Sequence, residues 1–278
     1  MSLAIFLAVL FAAFLHAGWN ALIKFGGSRL TGMLILTMSQ AAIALPVVLT
    51  NPLPARAVWP WLLASGAFHS AYKLFLSYAY QHGDLSRVYP IARGAAPLIV
   101  FVVTLAFLPD VLTWAEGGAI LLLGVGILTM ARGVVSDSEN LRLVPFALGS
   151  AAATAGYSIV DGMGARVSGD ALFYVAWLFV FDVMIFTPIC LMLRGRSILV
   201  ATSRDWLLGA LAGAASYGAY AIAVWAMTKA PIALVAALRE TSILFAVFFG
   251  WLFFSEKINR TKLAAAGMVL AGLVLSRV

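Results

Sequence analysis

Arg239 and Glu240 stand side by side in ALRETSILF, within an apolar run from Pro231 to Phe254. A guanidinium and a carboxylate in such a place could hold a solute carboxylate, a solute ammonium group or a proton. Arg93, in YPIARGAAP, offers the same cationic chemistry. His69, Tyr72 and Lys73 follow one another at i, i+3 and i+4, so on a helix they share a face that could bind a carboxylate and stack an aromatic ring. His16, Trp19 and Asn20 have the same spacing, as do Thr154, Tyr157 and Ser158. Tyr217 supplies a further aromatic wall, and Asp182, central in FVFDVMIF, a further carboxylate for a proton or an ion pair.

Each group also has a plainer use. Arg239 could pair with Glu240, Asp161 or Asp182 to join helices, or reach for an interface. Adjacent residues of a helix point about 100° apart, so Arg239 and Glu240 need not be partners. Glu240 and Asp182 could be buried as neutral acids. A lone intramembrane histidine such as His69 commonly satisfies an internal hydrogen bond, Lys73 could snorkel, and Tyr72 and Tyr217 could be core. Indole and amide donors such as Trp19 and Asn20 want partners in lipid, from another helix or from a solute.

Composition decides what surrounds these groups. Of 278 residues, 63% are hydrophobic and 10% charged, and the mean hydropathy is +1.02. A soluble domain needs about a quarter of its residues charged, so this chain belongs to the membrane class. Its net charge of +7 then speaks for lipid headgroups and the positive-inside rule. Nucleic acid is not an expected partner, since no basic patch interleaves with aromatics. Cys190 is the one cysteine, which excludes an internal disulfide and a cysteine metal cluster. HExxH and paired metal ligands are missing too, and no cofactor is expected. The start, MSLAIFLAVLFAAFLHAGW, lacks the basic region of a signal peptide and is expected to stay as the first membrane helix.

Apolar runs of about twenty residues predict ten helices, near 3–24, 30–49, 57–80, 88–107, 113–132, 143–163, 170–192, 206–229, 231–253 and 260–277. Almost nothing lies outside the bilayer. Trp59, Trp61, Trp114 and Trp206 sit near helix ends as interfacial residues. Pro90, Gly94 and Pro97 are expected to break the fourth helix locally. A shift of 146 positions lays Arg93 on Arg239, Phe107 on Phe253, Asp110 on Glu256 and Gly126 on Gly272. A shift of 145 lays Trp61-Leu62-Leu63 on Trp206-Leu207-Leu208 and Tyr72 on Tyr217. Two five-helix repeats follow, 1–135 and 140–278; an odd helix number turns the second upside down, with a solute site between the copies. Loops after odd-numbered helices gather basic residues from Lys24 to Lys262, whereas Arg56, Arg166, Lys229 and Arg277 serve the other side. That imbalance places both termini outside.

The segments SRVYPIARGAAPLIVFVVTLAFLPD and APIALVAALRETSILFAVFFGWLFFSEK, followed by GGAILLLGVGIL and AAAGMVLAGLVL, resemble the drug/metabolite transporter superfamily. The nearest likeness is to its EamA-type bacterial exporters, and it spans the whole chain. Asp110 stands where that family's pattern has Glu. The resemblance implies an all-α, basket-like carrier of ten transmembrane helices in the bacterial inner membrane, with helices five and ten peripheral. It implies alternating-access export of amino acids, aromatic ones included, or of related metabolites, by a protein that is not an enzyme. Sugar-phosphate, nucleotide-sugar or lipophilic-drug carriage is the alternative; a monomer could suffice, with the bilayer and a small solute as partners. GYS at Gly156–Ser158 leaves an intramembrane hydrolase as one rival, and a sensor or assembly subunit without transport is the other.

Overall fold

The computed structural model describes residues 1–26, 28–82, 85–129, 142–254 and 260–277. Their helices are α1 (Leu3–Phe25), α2 (Arg29–Thr50), α3 (Trp59–His82), α4 (Leu85–Phe107), α5 (Trp114–Thr129), α6 (Leu143–Ser168), α7 (Ala171–Arg194), α8 (Ser203–Met227), α9 (Ile232–Arg239), α10 (Ser242–Phe254) and α11 (Arg260–Leu275). A 3-10 turn, Gly195–Leu199, follows α7. Taken together, α9 and α10 are the ninth predicted helix, so all ten are present. The expected boundary between the repeats, Arg132, Glu256 and Lys257 lie outside the described residues.

Helix ends are written in local chemistry. Ser2 and Ser28 cap α1 and α2 through their side-chain oxygens. The Asp170 carboxylate accepts from the amides of Leu172 and Phe173 at 2.9 and 3.0 Å, and Thr202 and Asp205 form a reciprocal capping box. Such caps satisfy amide donors that the helix leaves open. Gly169 (φ 75) and Gly195 (φ 64) end α6 and α7 in the left-handed region, where a residue with a Cβ is strained.

Among the described residues, seven helical stretches are long and apolar enough to cross a membrane: α1, most of α2 and α4, α6, α7 with its 3-10 turn, α8, and α9 with α10. The chain is a multi-pass membrane protein. Helix α3 falls short in apolarity, not length, since its 24 residues extend about 36 Å; its inner face carries His69, Ser70 and Lys73. Helices α5 and α11, with 16 residues each, reach about 24 Å.

The most extensive contacts join α3 to α6, α1 to α8 and α5 to α11, followed by α4 to α6 and α2 to both α7 and α8. Exchanging the halves (α1 with α6, α2 with α7, α3 with α8) turns the α3–α6 contact into α8–α1. The α2–α7 and α5–α11 contacts map onto themselves. This is the pattern expected of two five-helix halves related by a two-fold axis in the membrane plane.

The predicted break falls elsewhere. Helix α4 runs unbroken through Pro90 and Pro97. An interior proline removes one hydrogen bond, which neighbouring helices can offset. Here α5 presses on α4: a Cβ at Gly94 would lie 3.1 Å from the Gly124 carbonyl, and one at Gly124 would lie 2.6 Å from Leu98 Cγ. The ninth helix breaks instead, at Glu240–Thr241, with neither proline nor glycine. The Glu240 and Thr241 amides turn to the carbonyls three residues back, Ala237 and Leu238. The Thr241 hydroxyl also donates to Leu238, at 2.7 Å.

Small residues let α5 and α11 touch, as expected of peripheral membrane helices. A Cβ at Gly272 would meet the Ala119 carbonyl and Leu123 Cγ at 3.0 Å each, whereas nothing lies within 4 Å of one at Gly267. Gly272→Val is therefore expected to cost about 1–3 kcal/mol through overpacking and to lower the melting temperature in detergent. Gly267→Ala is expected to leave it unchanged. Equal melting temperatures for both variants and the parent would contradict this packing.

Candidate functional site

A cavity lies where α1, α2, α3, α4, α6, α7, α8 and α9 converge. Its lining includes His16, Trp19, His69, Tyr72, Lys73, Arg93, Tyr157, Asp182, Tyr220 and Arg239. It offers about 50 Å³ to the centres of water molecules, room for a few waters and short of the roughly 300 Å³ of a small-ligand site. Admitting an amino acid requires the walls to move apart.

Among the described residues, the fully charged side chains that are buried number three cations and three carboxylates. Lys73, Arg93 and Arg239 are 8%, 3% and 6% exposed, and Asp161, Asp182 and Glu240 are 0%, 1% and 4% exposed. A charge in lipid costs several kcal/mol (about 2.5–3.5 on insertion scales), so equal numbers at one place imply mutual compensation.

Lys73 on α3 does not snorkel. Its ammonium meets Asp182 of α7 at 2.5 Å and donates to Thr37 of α2 at 3.0 Å. Asp182 Oδ1 has no hydrogen-bond partner. Arg93 of α4 contacts Glu240 at 3.3 Å and His16 Nε2 at 2.6 Å, so Glu240 faces the other half rather than its neighbour Arg239. The Trp19 indole N–H donates to His16 Nδ1 at 3.2 Å. A neutral imidazole has one lone pair, so His16 accepts from Trp19 or from Arg93, one at a time.

Asp161 of α6 is a hub. Its carboxylate accepts from the hydroxyls of Tyr174 (3.1 Å) and Tyr220, and its Oδ2 lies 3.1 Å from His69 Nε2. The His69 ring stacks on Tyr157 with centroids 4.2 Å apart, and Tyr72 meets Tyr157 edge-on at 5.8 Å. Tyr220 meets both His69 and Tyr157 edge-on, at 5.2 and 6.0 Å.

Arg239 differs from the other two cations. Its guanidinium lies 5.2 Å from the centroid of the Tyr220 ring, a cation–π contact. No carboxylate lies within ion-pair distance among the described residues, and its NH1 has no partner. None of the three acids open to it from the sequence takes it. Its charge is answered indirectly, through the tyrosine that donates to Asp161.

The structure gathers Trp19, His69, Tyr72, Lys73, Arg93, Tyr157, Asp182 and Arg239 around one cavity and leaves three expected site residues off it. The Asn20 amide donates to the His16 carbonyl of its own helix at 2.8 Å. Tyr217 packs on Phe179 with centroids 5.2 Å apart, so the wall expected of it is formed by Tyr220, one turn further along. Glu240 stands behind Arg93. Asp161 and Tyr220 gave no spacing signal of their own, although Tyr220 shares a face with Tyr217 at i+3. Ser158 donates to the Thr154 carbonyl at 2.8 Å, so its hydroxyl is turned to its own helix. No group of three or more His, Cys, Asp or Glu positioned for a metal occurs among the described residues.

Residues 141–278 match the EamA-like transporter family. No curated protein matches the chain. A crystal structure described only as that of a protein superposes with a TM-score of 0.78, covering 99% of this chain and 97% of that one at 14% identity. At that identity the likeness concerns the fold.

Proposed function

We propose that this chain, whose residues 141–278 match the EamA-like transporter family, exports neutral zwitterionic amino acids by alternating access, with preference for aromatic or bulky apolar side chains. One observation carries the reading: the cavity wall holds an unpartnered guanidinium nitrogen on Arg239 and an unpartnered carboxylate oxygen on Asp182. A buried polar atom without a partner is costly, and an α-carboxylate and an α-ammonium group are the complements of these two. The rings of Tyr72, Tyr157, Tyr220 and His69 would flank an aromatic side chain.

Charge balance favours this class over the alternatives. Among the described residues, three buried Lys or Arg and three buried Asp or Glu side chains give the empty site a formal charge of zero, and a zwitterion leaves it at zero. A sugar phosphate would bring about two negative charges to a site with a single directly unpaired cation among the described residues. A lipophilic cation would add to Arg239. Helices from the two halves would rock about the cavity to open each side in turn.

Counterflow into liposomes containing only this purified chain tests the reading. Unlabelled tryptophan, phenylalanine, methionine or threonine is expected to compete for uptake of a labelled neutral amino acid. Glutamate, sugar phosphates and quaternary cations are expected not to compete. Movement of sugar phosphates or lipophilic cations alone would sink it, and bond cleavage without movement would revive the hydrolase.

A further inference from the structure

We infer that Asp110 and Arg166 form the closing contact of one end of the carrier, and that the pair positions α9 and, through it, Arg239. The inference rests on the transporter reading, but its test needs no solute. Asp110 lies between α4 and α5 in the first half, and Arg166 near the end of α6 in the second. Their side chains form a two-pronged contact, with Arg166 NH1 at 2.6 Å from Oδ1 and NH2 at 3.2 Å from Oδ2. Such forks are among the stronger and more directional ion pairs.

Both partners also hold the turn that leads into α9. Arg166 donates to the carbonyls of Met227 at 2.9 Å and Ala230 at 3.1 Å, at the end of α8 and the turn beyond it. Asp110 Oδ2 accepts the amide N–H of Ile232 at 2.7 Å. Helix α9 begins at Pro231 without a side-chain cap of its own. A carboxylate from the opposite half therefore supplies the cap and the negative charge that a helix N-terminus favours. Beside the fork, Ile232, Val235 and Leu238 of α9 join Phe6 and Val100 in one apolar core cluster. The cavity begins beyond it, at the Arg239 end of α9.

Four consequences follow from that layout. Opening this end parts the α4–α5 loop from the end of α6, and so breaks the fork. The same separation takes Asp110 from the Ile232 amide, the side-chain cap of α9 among the described residues. An eight-residue helix with a loosened first turn moves as a unit about its other end, where the chain is already broken at Glu240–Thr241. Arg239, at that pivot, then turns against Tyr220, which ties the state of this end to the cation facing the cavity.

The test is side-selective labelling. In a Cys190→Ala background carrying Val235→Cys, a membrane-impermeant maleimide is applied to each side of sealed vesicles in turn. With Asp110 and Arg166 intact, position 235 is expected to label slowly from both sides. Asp110→Asn is expected to raise the rate roughly tenfold or more from one side only, and Asp110→Glu to restore slow labelling. Arg166→Lys, which keeps the charge and loses the fork, gives a second, independent readout if Asp110→Asn does not elute as a folded species. Unchanged labelling in Asp110→Asn, or in Arg166→Lys where that variant is the readout, would overturn the inference. So would equal increases from both sides, which would mean general loosening.

Discussion

Arg239→Leu is expected to raise the half-saturating concentration for a carboxylate-bearing solute roughly ten- to a hundredfold while the protein still folds. A hydrogen bond to a charged group contributes about 1.5–3 kcal/mol, and each 1.4 kcal/mol is tenfold in affinity. The fold survives because Arg239 forms no direct ion pair: its close neighbour is the face of Tyr220, its NH1 bonds to nothing, and Asp161 keeps the groups that hold it. Leucine fills much of the same volume and keeps contact with that ring. Arg93→Ala has a different expected outcome despite the matched position in the repeat. It exposes Glu240 as an unpaired buried charge, so stability falls together with recognition. Concentration dependence of counterflow, measured beside thermal unfolding in detergent, separates the two. An unchanged apparent affinity in Arg239→Leu would return this arginine to a structural role.

That contrast marks how far the sequence reached. Ten apolar runs were legible because a helix in lipid must be apolar over about twenty residues, and every one of them is a helix or a broken helix. The meeting of Arg93, Arg239, His69 and Lys73 was foreshadowed because charge in lipid has few places to go. Which charge faces which was not legible. Arg239 and Glu240 diverge as adjacent helical residues do, about 100° apart, and the chain breaks at a step whose residues are Glu and Thr rather than proline or glycine. Tyr217 lost its expected place to Tyr220, one turn further along α8, an offset that a gapless repeat alignment cannot resolve. Asp161 went unsingled because its role depends on three donors from three other places: α3, the following helix α7, and α8. Long-range pairing of that kind leaves no spacing behind.

The Lys73–Asp182 pair offers the sharpest test of whether buried charge here serves stability or transport. Lys73→Met or Asp182→Leu alone is expected to destabilise the protein by about 3–5 kcal/mol, since each strands an opposite charge in the interior. The double variant removes both charges and replaces them with apolar groups of similar size, a change that is often neutral or stabilising. Its melting temperature is therefore expected to return close to the parent's. Thr37 loses a donor in the process, yet its own hydroxyl still donates to the Met33 carbonyl at 2.8 Å, so no new orphan is created on α2. Transport then decides the role of the pair. If Asp182 Oδ1 receives a solute ammonium group, the folded double variant no longer moves amino acids, whereas a solely structural pair leaves counterflow at the parent's rate. Single variants that melt no earlier than the double would show that the two charges are not compensating each other across α3 and α7. The zero-charge argument for a zwitterionic solute would fall with them.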